Sequence, residues 1–358
     1  VRGASMKTNA GNFFEDFRLG QVIRHATPRT VTSGDVSLAT AIYGSRFALQ
    51  SADAFAIAVG YPAAPVDDVL LFNLVVGKSV PDISLNADAN LGYAGARFLR
   101  PIYPGDTLTA TSEVIGLKAN SSGKTGVVYV RTRGQNNRGE TVLDYVRWVM
   151  VNKRDPAAPN PADHVPDLPS VVDSDHLGDG CPRFEPGDWD NDLAGSHHRF
   201  GDYEVGEKID HVDGATIEES EHQLATRLYQ NTAKVHFDAH AAKDTRFGKR
   251  LVYGGHIIGI ARALSFNGLG NACRIAAING GRHVAPSFAG DTIYAWSEVL
   301  EKAELARRPD VGALRIRTIA TKNPPCRDFP GREGDGYHPS VVLDLDYWVL
   351  MIRWAGHR

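Results

Sequence analysis

The chain repeats itself, and no other feature constrains its fold as strongly. FEDFRLGQVIRHA, beginning at Phe14, returns as FGDYEVGEKIDHV at Phe200, with the shared pattern F-x-D-aromatic-x-aliphatic-G-x-x-I-x-H. At that offset of 186 residues, SLATAIYGSRFALQ (Ser37–Gln50) falls on QLATRLYQNTAKVH (Gln223–His236), pairing Leu38-Ala39-Thr40 with Leu224-Ala225-Thr226 and Tyr43 with Tyr229. One residue short of the same offset, GARFLRPIYPGDTLTATSEV (Gly95–Val114) falls on GGRHVAPSFAGDTIYAWSEV (Gly280–Val299). Blocks kept in one order at one offset mark a tandem duplication. The copies are read as 1–152 and 199–358. Between them, 153–198 is rich in Pro, Asp and Gly and has no lasting periodicity. It reads as a linker that wraps the surface between domains.

Each copy follows one plan. An Ala-, Leu- and Ile-rich helical stretch precedes runs such as TLTATSEVIGL and TVLDYVRWVMVNK, or TIYAWSEVLEK and VVLDLDYWVLMIR. Their period-2 alternation of β-branched and aromatic residues predicts antiparallel strands. Asn120–Gly126, NSSGKTG, lies between two such runs and reads as a hairpin turn. Its GKT ending lacks the earlier glycine that a phosphate loop needs, since Lys118 stands there. A helix followed by antiparallel strands, twice, is an α+β layout in which a sheet wraps a central helix.

Composition narrows the partners. At 358 residues the chain suits two domains. A net charge of −3 without a basic block argues against nucleic acid. No apolar run reaches the roughly 18–20 residues of a membrane span, and the first residues lack the apolar core of a signal peptide. Val1–Ser5, ahead of Met6, reads as an extraneous leader. Cys181, Cys273 and Cys326 are odd in number and widely spaced, which argues against a disulfide framework or zinc site. A cytoplasmic protein follows, in which the Asn120-Ser121-Ser122 sequon carries no meaning.

Chemistry concentrates in LYQNTAKVHFD, Leu228–Asp238, where His236 follows Asn231 by five residues. This stretch resembles the G-D-x-N-P-x-H-x-D motif of the MaoC-like hydratases and dehydratases, which have the hot-dog fold. PSFAGDT (Pro286–Thr292) and PIYPGDT (Pro101–Thr107) are similar to the family's P-x-x-x-G-D turn. The resemblance covers both copies and implies a tandem, or double, hot-dog. Its narrower part, RLYQNTAKVHFD, LVYGGHIIGIARALSFNGL and SFAGDTIYAWSE, is similar to the two-hot-dog branch that hydrates mesaconyl-CoA to β-methylmalyl-CoA. The family's Asp and His move a water and a proton on an acyl-CoA thioester. Here Asn231 replaces the Asp. It orients water but takes no proton, which leaves His236 as the acid/base. The first copy has Ser45 and Gln50 at these places, so one active site per chain is expected. CoA is part of the substrate, and no metal or redox cofactor is implied.

Val252-Tyr253-Gly254-Gly255-His256 precedes a helical run. Glycine admits a close thioester and a helix start favours negative charge, so the Gly255 amide is the expected oxyanion donor, with Gly254 and His256 beside it. A carboxylate on the substrate calls for a cation. Arg46 and Arg262 are the candidates, with Lys234 and His256 behind them. His236-x-Asp238-x-His240 has helical metal spacing, but no further ligand set accompanies it. Tyr43 and Tyr229, and Asp106 and Asp291 in their G-D-T turns, read as structural because both copies have them. Three rival readings stay open: a plain (R)-specific enoyl-CoA hydratase, a non-catalytic acyl-CoA binder and a thioesterase. Association of whole chains also stays open.

Overall fold

The alternation seen in the sequence becomes one sheet. The computed structural model describes residues 7–354, so the leader reading of Val1–Ser5 lies outside the described residues. The first copy supplies β1 (Val22–Thr30), β2 (Ala87–Phe98), β3 (Thr107–Ala119), β4 (Thr125–Gln135) and β5 (Thr141–Asn152). The second supplies β6 (Lys208–Thr216), β7 (Ala272–His283), β8 (Thr292–Glu304), β9 (Val311–Lys322) and β12 (Val341–Ile352). Between β9 and β12, β10 (Arg332–Glu333) and β11 (Gly336–Tyr337) form a separate two-stranded ribbon. The ten long strands pair in the order β1-β3-β4-β5-β2-β7-β12-β9-β8-β6. Each half repeats the other about the β2–β7 seam, where Tyr93 pairs with Gly281 and Arg97 with Ala277, antiparallel.

Each half-sheet wraps one buried helix. In the first copy this is Asp68–Ile83, buried from Asp68 through Val80. In the second it is Gly254–Leu264, which begins at the position matching Asp68. Both helices are mostly apolar and lie inside, and polar residues buried on the first are paired, Asp68 with Arg274 and Asn73 with the Gly255 carbonyl. The main core is shared: Phe72, Val75 and Tyr145 pack in one cluster with Ile257, Ile260 and Ile316. The molecule is thus α+β, with two sheet-wrapped helices as the hot-dog resemblance implies.

Several residues that both copies share make the same contacts twice. His25 Nε2 lies 2.7 Å from Ser112 Oγ, which lies 2.7 Å from Thr132 Oγ1. His211, Ser297 and Thr318 repeat that chain at 2.7 and 2.8 Å. Asp106 accepts from the Tyr103 amide and Asp291 from the Phe288 amide, both at 2.9 Å, closing the same turn twice.

The segment between the copies does more than wrap the surface. Leu177, Phe184 and Trp189 are buried with Phe55 and Tyr61. Trp189 meets Phe55 edge-on at 5.0 Å and donates to Asn271 Oδ1 at 2.9 Å. These anchors stand singly among Pro, Gly and Asp, so they leave no periodic signal. Among the described residues, no helix is long and apolar enough to cross a membrane.

Candidate active site

The Asn231–His236 turn is pressed against the central helix of the other copy. Helix Glu219–Leu228 ends at Tyr229, and Gln230 turns the chain with φ of 55°. Gly77 makes room: a Cβ there would stand 1.8 Å from the Tyr229 carbonyl oxygen and 3.5 Å from the Asn231 nitrogen. Asn231 is buried, and its Oδ1 accepts from the Ala233 amide at 3.2 Å. Its side-chain NH2 has no acceptor among the described residues and is free to hold a water.

His236 is half-buried on the short helix Lys234–Phe237. Its Nδ1 lies 2.8 Å from the Leu251 carbonyl oxygen. A carbonyl only accepts, so Nδ1 carries the proton and Nε2 presents a lone pair. Burial pushes the imidazole down to about 4, with His222 adding to the effect. The ring is therefore neutral near pH 7, in the tautomer a general base requires.

Gly254 and Gly255 open the second central helix. Tyr253 precedes them and gives no side-chain cap. Among the described residues neither glycine amide has an acceptor, as expected of a first turn. Both glycines answer to close approach. A Cβ on Gly255 would stand 2.0 Å from Asn73 Oδ1 and 2.4 Å from the Tyr253 ring. One on Gly254 would stand 2.4 Å from the His283 ring. Asn73, from the first copy's central helix, donates to the Gly255 carbonyl at 3.2 Å. The Tyr253 ring also meets His236 edge-on, with centroids 5.5 Å apart, so base and helix start pack on one aromatic ring.

The first copy shows the same helix start closed. Asp67 stands where the second copy has Tyr253. Its carboxylate accepts from the Val69 amide at 2.8 Å and the Leu70 amide at 3.2 Å. The amide matching Gly255 is thus already occupied.

The arginine expectations need correction. Arg46 is exposed, 3.9 Å from Asp213 Oδ2 and stacked 4.6 Å from the Phe266 ring centroid. Arg262 is buried 3.6 Å from the Phe47 ring centroid, with its guanidinium on the Ala272 carbonyl. It lines a pocket with Tyr43, Ser45, Gln50 and Asp67, which is the first copy's counterpart of the site. His256 is fully buried, with Nδ1 3.1 Å from Tyr43 Oη and Nε2 3.1 Å from Glu221 Oε1. Nδ1 is held by Tyr43, while Nε2 makes no hydrogen bond among the described residues despite its nearness to Glu221. Lys234 is exposed.

Tyr253 and His283 escaped the sequence reading. His283 ends β7 against Gly254, and its Nε2 is buried without a partner among the described residues. Burial, and then His236, push it down to about 4. The duplication held the signal. Val36, Gln50, Leu70 and Phe98 of the first copy correspond to His222, His236, His256 and His283 of the second.

The family model for mesaconyl-CoA hydratase matches residues 3–332. The chain is 63% identical to the β-methylmalyl-CoA dehydratase of Chloroflexus aurantiacus over 98% of this chain and 99% of the relative. It is 62% identical to the mesaconyl-CoA hydratase of Cereibacter sphaeroides, over 97% and 100% respectively. Among solved structures, a MaoC domain protein dehydratase from Chloroflexus aurantiacus superposes with a TM-score of 0.95 at 62% identity, covering 98% of this chain and all of that one. A double-hot-dog protein of Mycobacterium tuberculosis superposes with a TM-score of 0.72 at 26% identity, covering 96% and 99%.

Proposed function

This chain belongs to the mesaconyl-CoA hydratase family, and from that premise we propose that it adds water reversibly across the double bond of mesaconyl-CoA, giving β-methylmalyl-CoA. It is a hydro-lyase acting on a CoA thioester. The observation that carries the mechanism is a neutral His236 with a free Nε2, packed on the same Tyr253 ring as an uncapped glycine helix start.

The Asn231 side-chain NH2 holds the water. His236 Nε2 takes one of its protons as the oxygen bonds to the β-carbon. Charge then moves onto the thioester oxygen, where the Gly255 amide and the positive end of the helix receive it. The imidazolium formed at His236 is disfavoured by burial, which makes it a strong acid. It returns the proton to the α-carbon, collapsing the enolate and restoring the neutral ring. One O–H bond and the π bond of the alkene break, one C–O and one C–H bond form, and no metal or redox cofactor takes part. Both copies contribute: the second supplies base and oxyanion donor, and the first supplies Asn73 and the Gly77 seat. We place one site in each chain. We assign the enzyme to the cytoplasm, where its free cysteines stay reduced.

Loss of the enoyl-thioester absorbance, followed with mesaconyl-CoA beside crotonyl-CoA, tests this reading. Fast loss with mesaconyl-CoA and slow loss with crotonyl-CoA is expected. Equal rates would demote the protein to a general enoyl-CoA hydratase. Release of free CoA thiol would make it a thioesterase instead.

A further inference from the structure

Arg147, on β5, is a buried cation without an anion. It is 2% exposed, and among the described residues no carboxylate pairs with it. Its Nη2 donates to Ser79 Oγ at 2.8 Å and its Nη1 to Ser84 Oγ at 3.3 Å, while Nε has no partner. Arg199 and Arg262 are also buried without a carboxylate, but carbonyls answer their guanidinium groups; two other buried arginines hold carboxylates. Arg274 holds Asp68 through two atoms, with Nε 3.0 Å from Oδ1, and Arg308 meets Asp310 at 2.6 Å. A guanidinium buried against hydroxyls alone keeps an uncompensated charge, which is costly unless an anion arrives.

The surroundings are donors. Tyr93 pairs with Arg147 across the β2–β5 register, and Tyr145 lies two residues along the same face of β5. Phe72 packs on both tyrosine rings, at 5.2 and 5.3 Å. Tyr93 meets His283 edge-on at 6.0 Å, which joins the cluster to the ring seated on Gly254. The hydroxyls of Tyr145 and Tyr253 are buried without a partner among the described residues. Burial raises the pKa of all three phenols, so they remain neutral O–H groups.

The duplication shows that the cluster serves one site. The strand TVLDYVRW aligns with VVLDLDYW, which puts Leu345 and Tyr347 where the first copy has Tyr145 and Arg147. Ile278 stands where it has Tyr93. The pocket beside Ser45 and Gln50 therefore has no equivalent. The cation and phenols adjoin the side that carries His236, His283 and the open helix start.

We propose that Arg147, assisted by the hydroxyls of Tyr93, Tyr145 and Tyr253, is the receptor for the free carboxylate on the acyl group of the substrate. This rests on the hydratase reading, in which the β-carbon carries that carboxylate. The thioester sits at Gly255, and the acid arm reaches past Gly254 and His283 to the guanidinium. The arrangement selects a dicarboxylic acyl group over a plain one, because a methyl group there would leave the charge buried and unanswered.

Succinyl-CoA and butyryl-CoA test this, since they differ only in carboxylate against methyl on the β-carbon and neither has a double bond to hydrate. Calorimetric affinities would be compared for the wild type and Arg147→Met. The wild type should prefer succinyl-CoA by at least roughly tenfold, and the variant's ratio should fall to about one. A folded variant that keeps the wild-type ratio, or a wild type with no preference, would overturn the proposal. If Arg147→Met does not fold, Tyr93→Phe and Tyr145→Phe decide, because each deletes only a hydroxyl. Each should lower the ratio by about threefold or more, and unchanged ratios in both would overturn it. Wild-type turnover of mesaconyl-CoA separates the two layers. If it is absent, the hydratase reading fails; if it is present with an unaltered ratio in the variants, only the receptor fails.

Discussion

Transplanting the first copy's plug into the second should close the active site. In the first copy, the Asp67 carboxylate sits on the Val69 and Leu70 amides at 2.8 and 3.2 Å. Tyr253→Asp places the same group one residue before Gly254-Gly255, where it reaches the Gly255 and His256 amides. It would occupy the position meant for the thioester oxygen and set a negative charge beside the developing enolate. Losing one oxyanion donor costs about 10²–10³ in kcat, and the added charge raises the penalty. The control is Tyr253→Leu, which loses the same ring and hydroxyl but cannot cap, since Leu is a poor N-cap residue. Both variants lose a buried aromatic side chain, about 3 kcal/mol of stability, so that loss cancels in the comparison. Steady-state hydration by folded protein, checked by circular dichroism, should show Tyr253→Asp at least ~100-fold below Tyr253→Leu in kcat. Equal kcat values would refute the assignment of the Gly255 amide as oxyanion donor.

Further outcomes follow from the same geometry. Because His236 titrates near 4, kcat/KM should show no fall attributable to it between pH 8 and about 5 and should drop only as pH nears 4; a His236-dependent midpoint near 6.5 in a pH–rate profile would contradict the buried-base reading. His211 is fully buried and also held near 4. The unfolded chain takes up its proton near 6.5 and the native state only near 4, so stability is full above 6.5 and falls as pH drops toward 4. The slope is about 1.4 kcal/mol per pH unit for this group, readable in denaturant titrations. Gly77→Ala drives a methyl to 1.8 Å from the Tyr229 carbonyl. It should cost about 1–3 kcal/mol and lower kcat by moving Asn231, as thermal melts and steady-state assays would show.

The architecture was readable because it was written twice. Leu38-Ala39-Thr40 against Leu224-Ala225-Thr226, and the two G-D-T turns, set both copies in one register. The period-2 runs then became the strands of one sheet. His236 and Asn231 stood out because polar residues at that spacing break an apolar helical stretch. The arginines were misplaced for a geometric reason. A pseudo-twofold turns Gly259 and Arg262 of the second copy's helix toward the first copy's pocket, and helical periodicity does not tell which of two pockets a face meets. Nothing in the sequence sets Tyr253, Tyr93 and Tyr145 apart from other core aromatics. Arg147 sits on the buried face of β5 with Leu143, Tyr145 and Val149, and a charged residue in that register gives no sign of burial in the sequence. The buried anchors Phe184 and Trp189 were hidden in a stretch whose composition resembles a free linker.

The central claim is that one site, built around the second copy's histidine, carries the reaction. His236→Ala and Gln50→Ala make equivalent truncations in the two copies. Mesaconyl-CoA hydration by purified protein should fall at least ~10²–10⁴-fold in the first variant and stay at the wild-type rate in the second. Comparable losses in both, or an active His236→Ala enzyme, would contradict the account.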